Sequence, residues 1–174
     1  MKFGEQLRSS IIREYQWHYI DYDGLKKDLK AASGPFAGSS GDAVDAVGSE
    51  RPRSKSRRRL WTEDDEQRFI KSLYGELDKV YTKTKVKQSE IQRLIAINEE
   101  EVKRVVDQVN ERGLDEPGPS EENFTLLEEN LSDIIADVHD LAKYVQLNYT
   151  GFYKIIKKHD VRFPMRSGTA LRVD

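Results

Sequence analysis

The sequence predicts an all-α fold: a small N-terminal helical hairpin packed on a long antiparallel helical hairpin, an elongated helical bundle followed by a short basic helix. Three observations predict it. Apolar residues recur in alternating steps of three and four over two long segments, the spacing that lines one face of a helix. Gly113 and the run Glu116-Pro117-Gly118-Pro119 stand between those segments, where they end one helix and turn the chain. The 174 residues are 37% hydrophobic and 34% charged, a balance suited to long helices that each bury a single stripe rather than to a thick core.

Residues 3–17 read as a first helix, with Phe3, Leu7, Ile11 (or Ile12) and Tyr15 at helical spacing. Trp17-His18-Tyr19-Ile20 reads as a tight corner packed with aromatics. Asp21 is suited to cap a second helix over 22–30, whose buried edge is Leu25 and Leu29. Residues 33–60 read as a flexible basic loop inside the domain. Its first part is rich in Gly, Ser and Ala, and residues 51–59 hold six basic residues and no acidic one. A solvated insertion is favoured there over a nucleic-acid patch, because no aromatic residue is interleaved to stack on bases.

Thr62-Glu63-Asp64-Asp65 resembles a capping box and opens the longest periodic segment, 62–112. Its seam runs through Leu73, Leu77, Val80, Thr84, Lys87, Ile91, Leu94, Asn98, Val102, Val105 and Val109, a coiled-coil pattern with polar interruptions in the middle. Lys79, Lys83, Lys85 and Lys87 lie where it turns polar, either extending a basic surface or simply exposed. Ser120 caps a return helix over 120–147, with Phe124, Leu127, Leu131, Ile134, Val138, Leu141 and Val145 as its seam. Its 28 or so residues leave part of the longer partner to be covered by the first two helices, around residues 69–81. Asn148 or Thr150 is then expected to cap the short basic helix. On that helix Lys154, Lys157 and Lys158 share one arc, and Phe152, Ile155, Ile156 and His159 share the other. Pro164 and Gly168 mark residues 161–174 as an irregular tail.

Composition bounds the function. A net charge of -2 argues against a uniformly basic nucleic-acid binder, so anion binding must be local. The absence of cysteine excludes disulfides, thiolate metal sites and cysteine nucleophiles, and fits a reducing compartment. Residues 1–4 lead into no apolar signal region, and no apolar run reaches the roughly 20 residues a bilayer requires. The expectation is a soluble, cytoplasmic chain without a membrane span. Three matches to the glycosylation pattern, at Asn123, Asn130 and Asn148, read as chance. His18, His139 and His159 stand far apart with no nucleophile or acid–base set around them, and the carboxylates of 120–142 scatter around the helical wheel. Neither catalysis nor a metal site is expected.

Two lysine elements remain. Tyr22 and Lys26 are four apart and share a helix face near a helix N-terminus, which itself favours anions. With Lys154, Lys157 and Lys158 they suggest a surface for a multiply charged anion. The plainer reading is a pair of amphipathic helices with solvated basic faces. A structural coiled-coil interaction domain without a ligand explains both seams but gives these lysines no common purpose. Nucleic acid comes third, resting on residues 51–59 alone.

Several motifs together resemble the SPX domain: Met1-Lys2-Phe3-Gly4-Glu5-Gln6-Leu7 at the start, Tyr19-Ile20-Asp21-Tyr22 with Leu25-Lys26, Glu76-Leu77-Asp78-Lys79-Val80-Tyr81, and Leu147-Asn148-Tyr149-Thr150-Gly151-Phe152 followed by Lys154 to Asp160. The resemblance covers residues 1–160, apart from the loop. Residues 131–143 are similar to the fungal vacuolar transporter chaperone branch of that family, in particular to its polyphosphate polymerase subunits. It implies an all-helical sensor of phosphate status that binds inositol hexakisphosphate or inositol pyrophosphates. Tyr22, Lys26 and lysines of the 154–158 run would form the phosphate-binding cluster. Lys2 and whichever lysines of that run remain would line the surrounding basic surface. The other subunits of a chaperone-like complex at the cytosolic face of the vacuole membrane are the implied partners. The polymerase domain of such relatives is not in this sequence, so their catalysis is not expected of it.

Overall fold

A computed structural model of the chain describes residues 2–31, 61–111 and 118–163. The expected loop at 33–60, together with Pro164 and Gly168 of the tail, lies outside the described residues. The fold is all-α: α1 (Phe3–Ser9), a 3₁₀ turn (Arg13–Tyr15), α2 (Tyr22–Ala31), α3 (Glu63–Glu111) and α4 (Glu121–Arg162). Two compact units divide it, one drawn from Met1–Ile20 and Glu76–Phe152, the other from Asp21–Gly75 and Tyr153–Asp174.

The helices begin where the sequence places their caps. Thr62 Oγ1 accepts the Asp65 N–H at 3.3 Å while the Asp65 carboxylate accepts the Thr62 N–H at 3.1 Å, a reciprocal cap that satisfies two otherwise free donors. Asp21 Oδ1 accepts the Gly24 N–H at 2.8 Å, and Ser120 Oγ accepts the Asn123 N–H at 3.3 Å. The first helix is shorter than its periodicity suggests and stops at Ser9. Ser9 Oγ turns back to the Gln6 carbonyl at 3.0 Å, and the β-branched pair Ile11-Ile12 that follows is a weak continuation.

Within the first unit, α3 and α4 run antiparallel: Lys87 meets Asp137, while Val105 and Leu127 line one groove. The chain between the 3₁₀ turn and Ile20 closes on this pair through aromatics. Tyr15 stacks on Tyr144 at 4.7 Å, and Tyr19 meets the same ring edge-on at 4.9 Å. Tyr144 Oη donates to the His18 carbonyl at 2.9 Å. Trp17, expected in this packed corner, is 80% exposed instead. Gly151 lets the chain come close: a Cβ there would stand 2.8 Å from Ile20 Cγ2.

The return segment corrects two expectations. No separate basic helix begins at Asn148 or Thr150, because neither side chain caps. Asn148 Nδ2 donates to the Tyr144 carbonyl, its Oδ1 accepts the Ile20 N–H at 2.8 Å, and Thr150 Oγ1 donates to the Gln146 carbonyl. The helix therefore continues without a break through Arg162, taking in the first two residues of the expected tail. Its buried stripe also differs. Leu127 and Ile134 are buried as expected, but Phe124, Leu131, Val138 and Val145 are largely exposed, and burial passes to Tyr144, Asn148, Ile155 and His159. On α3, Val80, Ile91, Asn98 and Val105 are buried, whereas Leu77 and Tyr81 are exposed.

Lys87 is no surface lysine. Its side chain is 5% exposed, with Nζ 3.0 Å from Asp137, 3.3 Å from Glu14 and 3.6 Å from Glu90. Burial opposes its charge, but the hydrogen bonds to Asp137 and Glu14 outweigh that penalty and hold the ammonium above its usual pKa. Lys83 pairs with Glu14 at 3.7 Å and Lys79 with Glu76 at 2.7 Å. The basic surface that the middle of the seam could have offered is thus largely neutralised.

Candidate functional site

The second unit presents cations from a braced helix end. On α4 beyond Tyr153, Ile155 and His159 are buried while Lys154, Lys157 and Lys158 are exposed, so the segment keeps its amphipathic division although it starts no helix of its own. His159 is the brace. Its Nε2 lies 2.8 Å from Glu66 Oε2, its Nδ1 lies 3.1 Å from Asp160, and its ring stacks on Phe69 at 4.9 Å and 3°. Trp61 Nε1 donates to the same Glu66 oxygen at 2.6 Å, and the Trp61 ring stacks on Phe163 at 3.8 Å. Two donors on one partly buried carboxylate oxygen fix the start of α3 to the end of α4, and with it the direction of the lysine arc.

α2 supplies the facing half. Leu25 and Leu29 are buried with Tyr22, and Lys158 Nζ stands over the Tyr22 ring, 5.3 Å from its centroid. Lys26 follows Tyr22 by one turn and Lys154 precedes Lys158 by one turn, so the two predicted elements meet. Lys157 lies on the same exposed arc. Tyr22 is only 4% exposed, so its ring serves first as the support beneath Lys158. The helix N-terminus is partly spoken for as well, since Asp21 already takes the Gly24 N–H. Lys2 belongs to the first unit, exposed at the start of α1, where its backbone N–H donates to Glu5 at 3.2 Å.

Lys27 and Lys30, outside the expected site, are also exposed on α2. The run Lys26-Lys27-Asp28-Leu29-Lys30 was the available signal. Glu66 and Trp61 carry no such signal, because their place under the lysine arc depends on residues 93 or more positions away. Several ammonium groups drawn from two helices suit a compact polyanion, because each offers three donors and charge-assisted bonds accumulate where they converge. Among the described residues no cluster of His, Asp and Glu could hold a metal ion, and no helix is long and apolar enough to cross a membrane.

Three comparisons bear on this geometry. The model of the SPX domain matches residues 1–60. Vacuolar transporter chaperone complex subunit 4 of Schizosaccharomyces pombe is 42% identical over 161 residues, covering 92% of this chain and 18% of that protein. Vacuolar transporter chaperone complex subunit 2 of Saccharomyces cerevisiae is 27% identical over 164 residues, covering 94% of this chain and 16% of that protein. The chain therefore spans about a fifth of the length of the curated relatives it matches. Among solved structures, the SPX domain of Chaetomium thermophilum glycerophosphodiester phosphodiesterase 1, in complex with inositol hexakisphosphate, matches in fold with a TM-score of 0.68 at 22% identity. That match covers 96% of this chain and 79% of the other.

Proposed function

We propose that this chain, which belongs to the SPX family, is a phosphate-sensing module that binds inositol polyphosphates or pyrophosphates on the α2–α4 lysine surface. Residues 1–160 make up the module. Tyr22, Lys26 and Lys154 hold phosphate groups directly, and Lys157 and Lys158 complete the cationic arc. In a longer protein of the vacuolar transporter chaperone kind, ligand binding would regulate an attached polyphosphate polymerase and its partner subunits at the cytosolic face of the vacuole membrane. The module itself carries no chemistry of its own. The observation that supports this reading best is Lys158 over Tyr22, since it joins two lysine-bearing helices in one surface.

Titration calorimetry with inositol hexakisphosphate tests it. Lys26→Ala and Lys154→Ala are each expected to weaken binding on the order of tenfold to a hundredfold, because a charge-assisted bond to phosphate contributes about 1.5–3 kcal/mol and 1.4 kcal/mol is a decade in affinity. Thermal stability should barely move, since surface ammonium groups contribute little to folding. Affinity should fall steeply with added salt. Neutralising Arg57, Arg58 and Arg59 together should matter least. A short nucleic-acid duplex of equal charge that bound as tightly, or an arginine run that outweighed Lys26, would overturn the assignment.

A further inference from the structure

α3 and α4 leave an apolar groove open between residues 102–106 and 124–135, around a space of about 470 Å³. Val105 and Leu127 form its buried floor. Its walls are unusual for a solvent face. From Phe124 to Val138, residues 124, 128, 131, 135 and 138 form one stripe in steps of four and three, apolar except at Glu128. From Ile95 to Val109, residues 95, 99, 102, 106 and 109 repeat the same steps, apolar except at Glu99. The eight apolar members are between 39% and 57% exposed. Each stripe advances about 21 Å, or four helical turns. Two parallel apolar stripes flanking a groove are what a third helix covers in a three-helix bundle, and exposed apolar surface of this extent marks a binding face.

Charge indicates the occupant. The single polar position in each stripe is a glutamate, and residues 120–142 carry seven acidic residues and no lysine or arginine. A second copy docked on this groove would set Glu99 and Glu128 against their own counterparts, and an anionic lipid surface would be repelled. We infer that the groove docks an amphipathic helix of about four turns, with lysine or arginine beside its apolar stripe, supplied by another polypeptide. Bound there, it would bury the two stripes and place its cations by Glu99 and Glu128. This interaction is separate from the proposed anion site and does not depend on it.

The test uses the full chain and two synthetic 16-residue helical peptides with one Leu/Ile stripe, flanked by lysine in one and by glutamate in the other. Fluorescence anisotropy should show the lysine peptide binding at least tenfold more tightly than the glutamate peptide. Ile135→Asp should weaken the lysine peptide at least tenfold, although it adds negative charge. The pair Glu99→Lys and Glu128→Lys should reverse the preference between peptides. Both variants should keep the helical circular dichroism and the inositol hexakisphosphate affinity of the parent. Tighter lysine-peptide binding by Ile135→Asp would mean mere charge attraction and would overturn the groove. A dimer dissolved by Ile135→Asp in sedimentation would assign it to a second copy instead, and binding to neutral vesicles lost in the same variant would assign it to lipid.

Discussion

Lys87 and the trio Lys154, Lys157 and Lys158 are the same residue type on long amphipathic helices, with opposite fates. Lys87 occupies a seam position and is 5% exposed, with Asp137 and Glu14 within 3.3 Å. The trio occupies the arc opposite Ile155 and His159 and stays in solvent. A buried ammonium must be matched by carboxylates at once, so its charge is used up in folding. A solvent-facing ammonium costs the fold little and stays within reach of a ligand. Lysine content alone therefore says nothing about anion binding. The position of each lysine relative to the seam decides it.

The largest expected effect attacks the folded half of that contrast. Lys87→Ala should destabilise the chain by about 3 kcal/mol in urea denaturation, the lower end for a broken buried pair because Glu14 and Asp137 keep some solvent. Inositol hexakisphosphate affinity, measured on the folded variant, should stay within a factor of about two of the parent. Equal losses in both measurements would erase the distinction between structural and solvent-facing lysines.

Alkaline titration comes next. Burial, helped by the nearby Glu14 charge, pushes the Tyr15 phenol from 10.0 up to about 12, and burial raises Tyr144 further. Lys87 is raised as well. Below pH 10 both folded and unfolded chains hold these protons and the contribution is whole. Above it the unfolded chain releases them first, so stability is lost as pH rises towards 12, by about 2 kcal/mol for Tyr15 alone. Chemical denaturation at pH 8 and pH 11 should show the drop, and a flat profile would contradict the buried tyrosine cluster.

Smaller effects belong to the solvent-facing half. Lys158→Ala should lower inositol hexakisphosphate affinity about tenfold, roughly 1.4 kcal/mol, while the urea midpoint barely changes. A stability loss exceeding the affinity loss would make its contact with Tyr22 structural. Tyr22→Phe should cost less than Lys158→Ala, about twofold to fivefold in affinity, since the ring that supports Lys158 remains and only a neutral hydroxyl goes. A loss as large as that of Lys26→Ala would make the hydroxyl a principal phosphate ligand despite its burial.

Much of the site was legible because lysines on one face of a regular helix are a matter of spacing. Lys154, Lys157 and Lys158 follow from 100° per residue, and so does the pairing of Tyr22 with Lys26. The brace beneath them was not. Nothing local marks Glu66 as the residue that receives both Trp61 and His159, because that role exists only once the two ends of separate helices meet.

The residue order by itself determined the all-helical class and the caps at Asp21, Thr62 and Ser120. Each follows from period or from a side chain bonding its own neighbours. Tertiary contact decided which face of each helix was buried. On α4 the apolar residues Phe124, Leu131, Val138 and Val145 stay exposed, while Tyr144, Asn148 and His159 join Leu127, Ile134 and Ile155 in burial. Their polar atoms find partners in distant segments, at His18, Ile20 and Glu66, and partnered polar groups can be buried where unpartnered ones cannot. For the same reason Asn148 continued the helix instead of starting one.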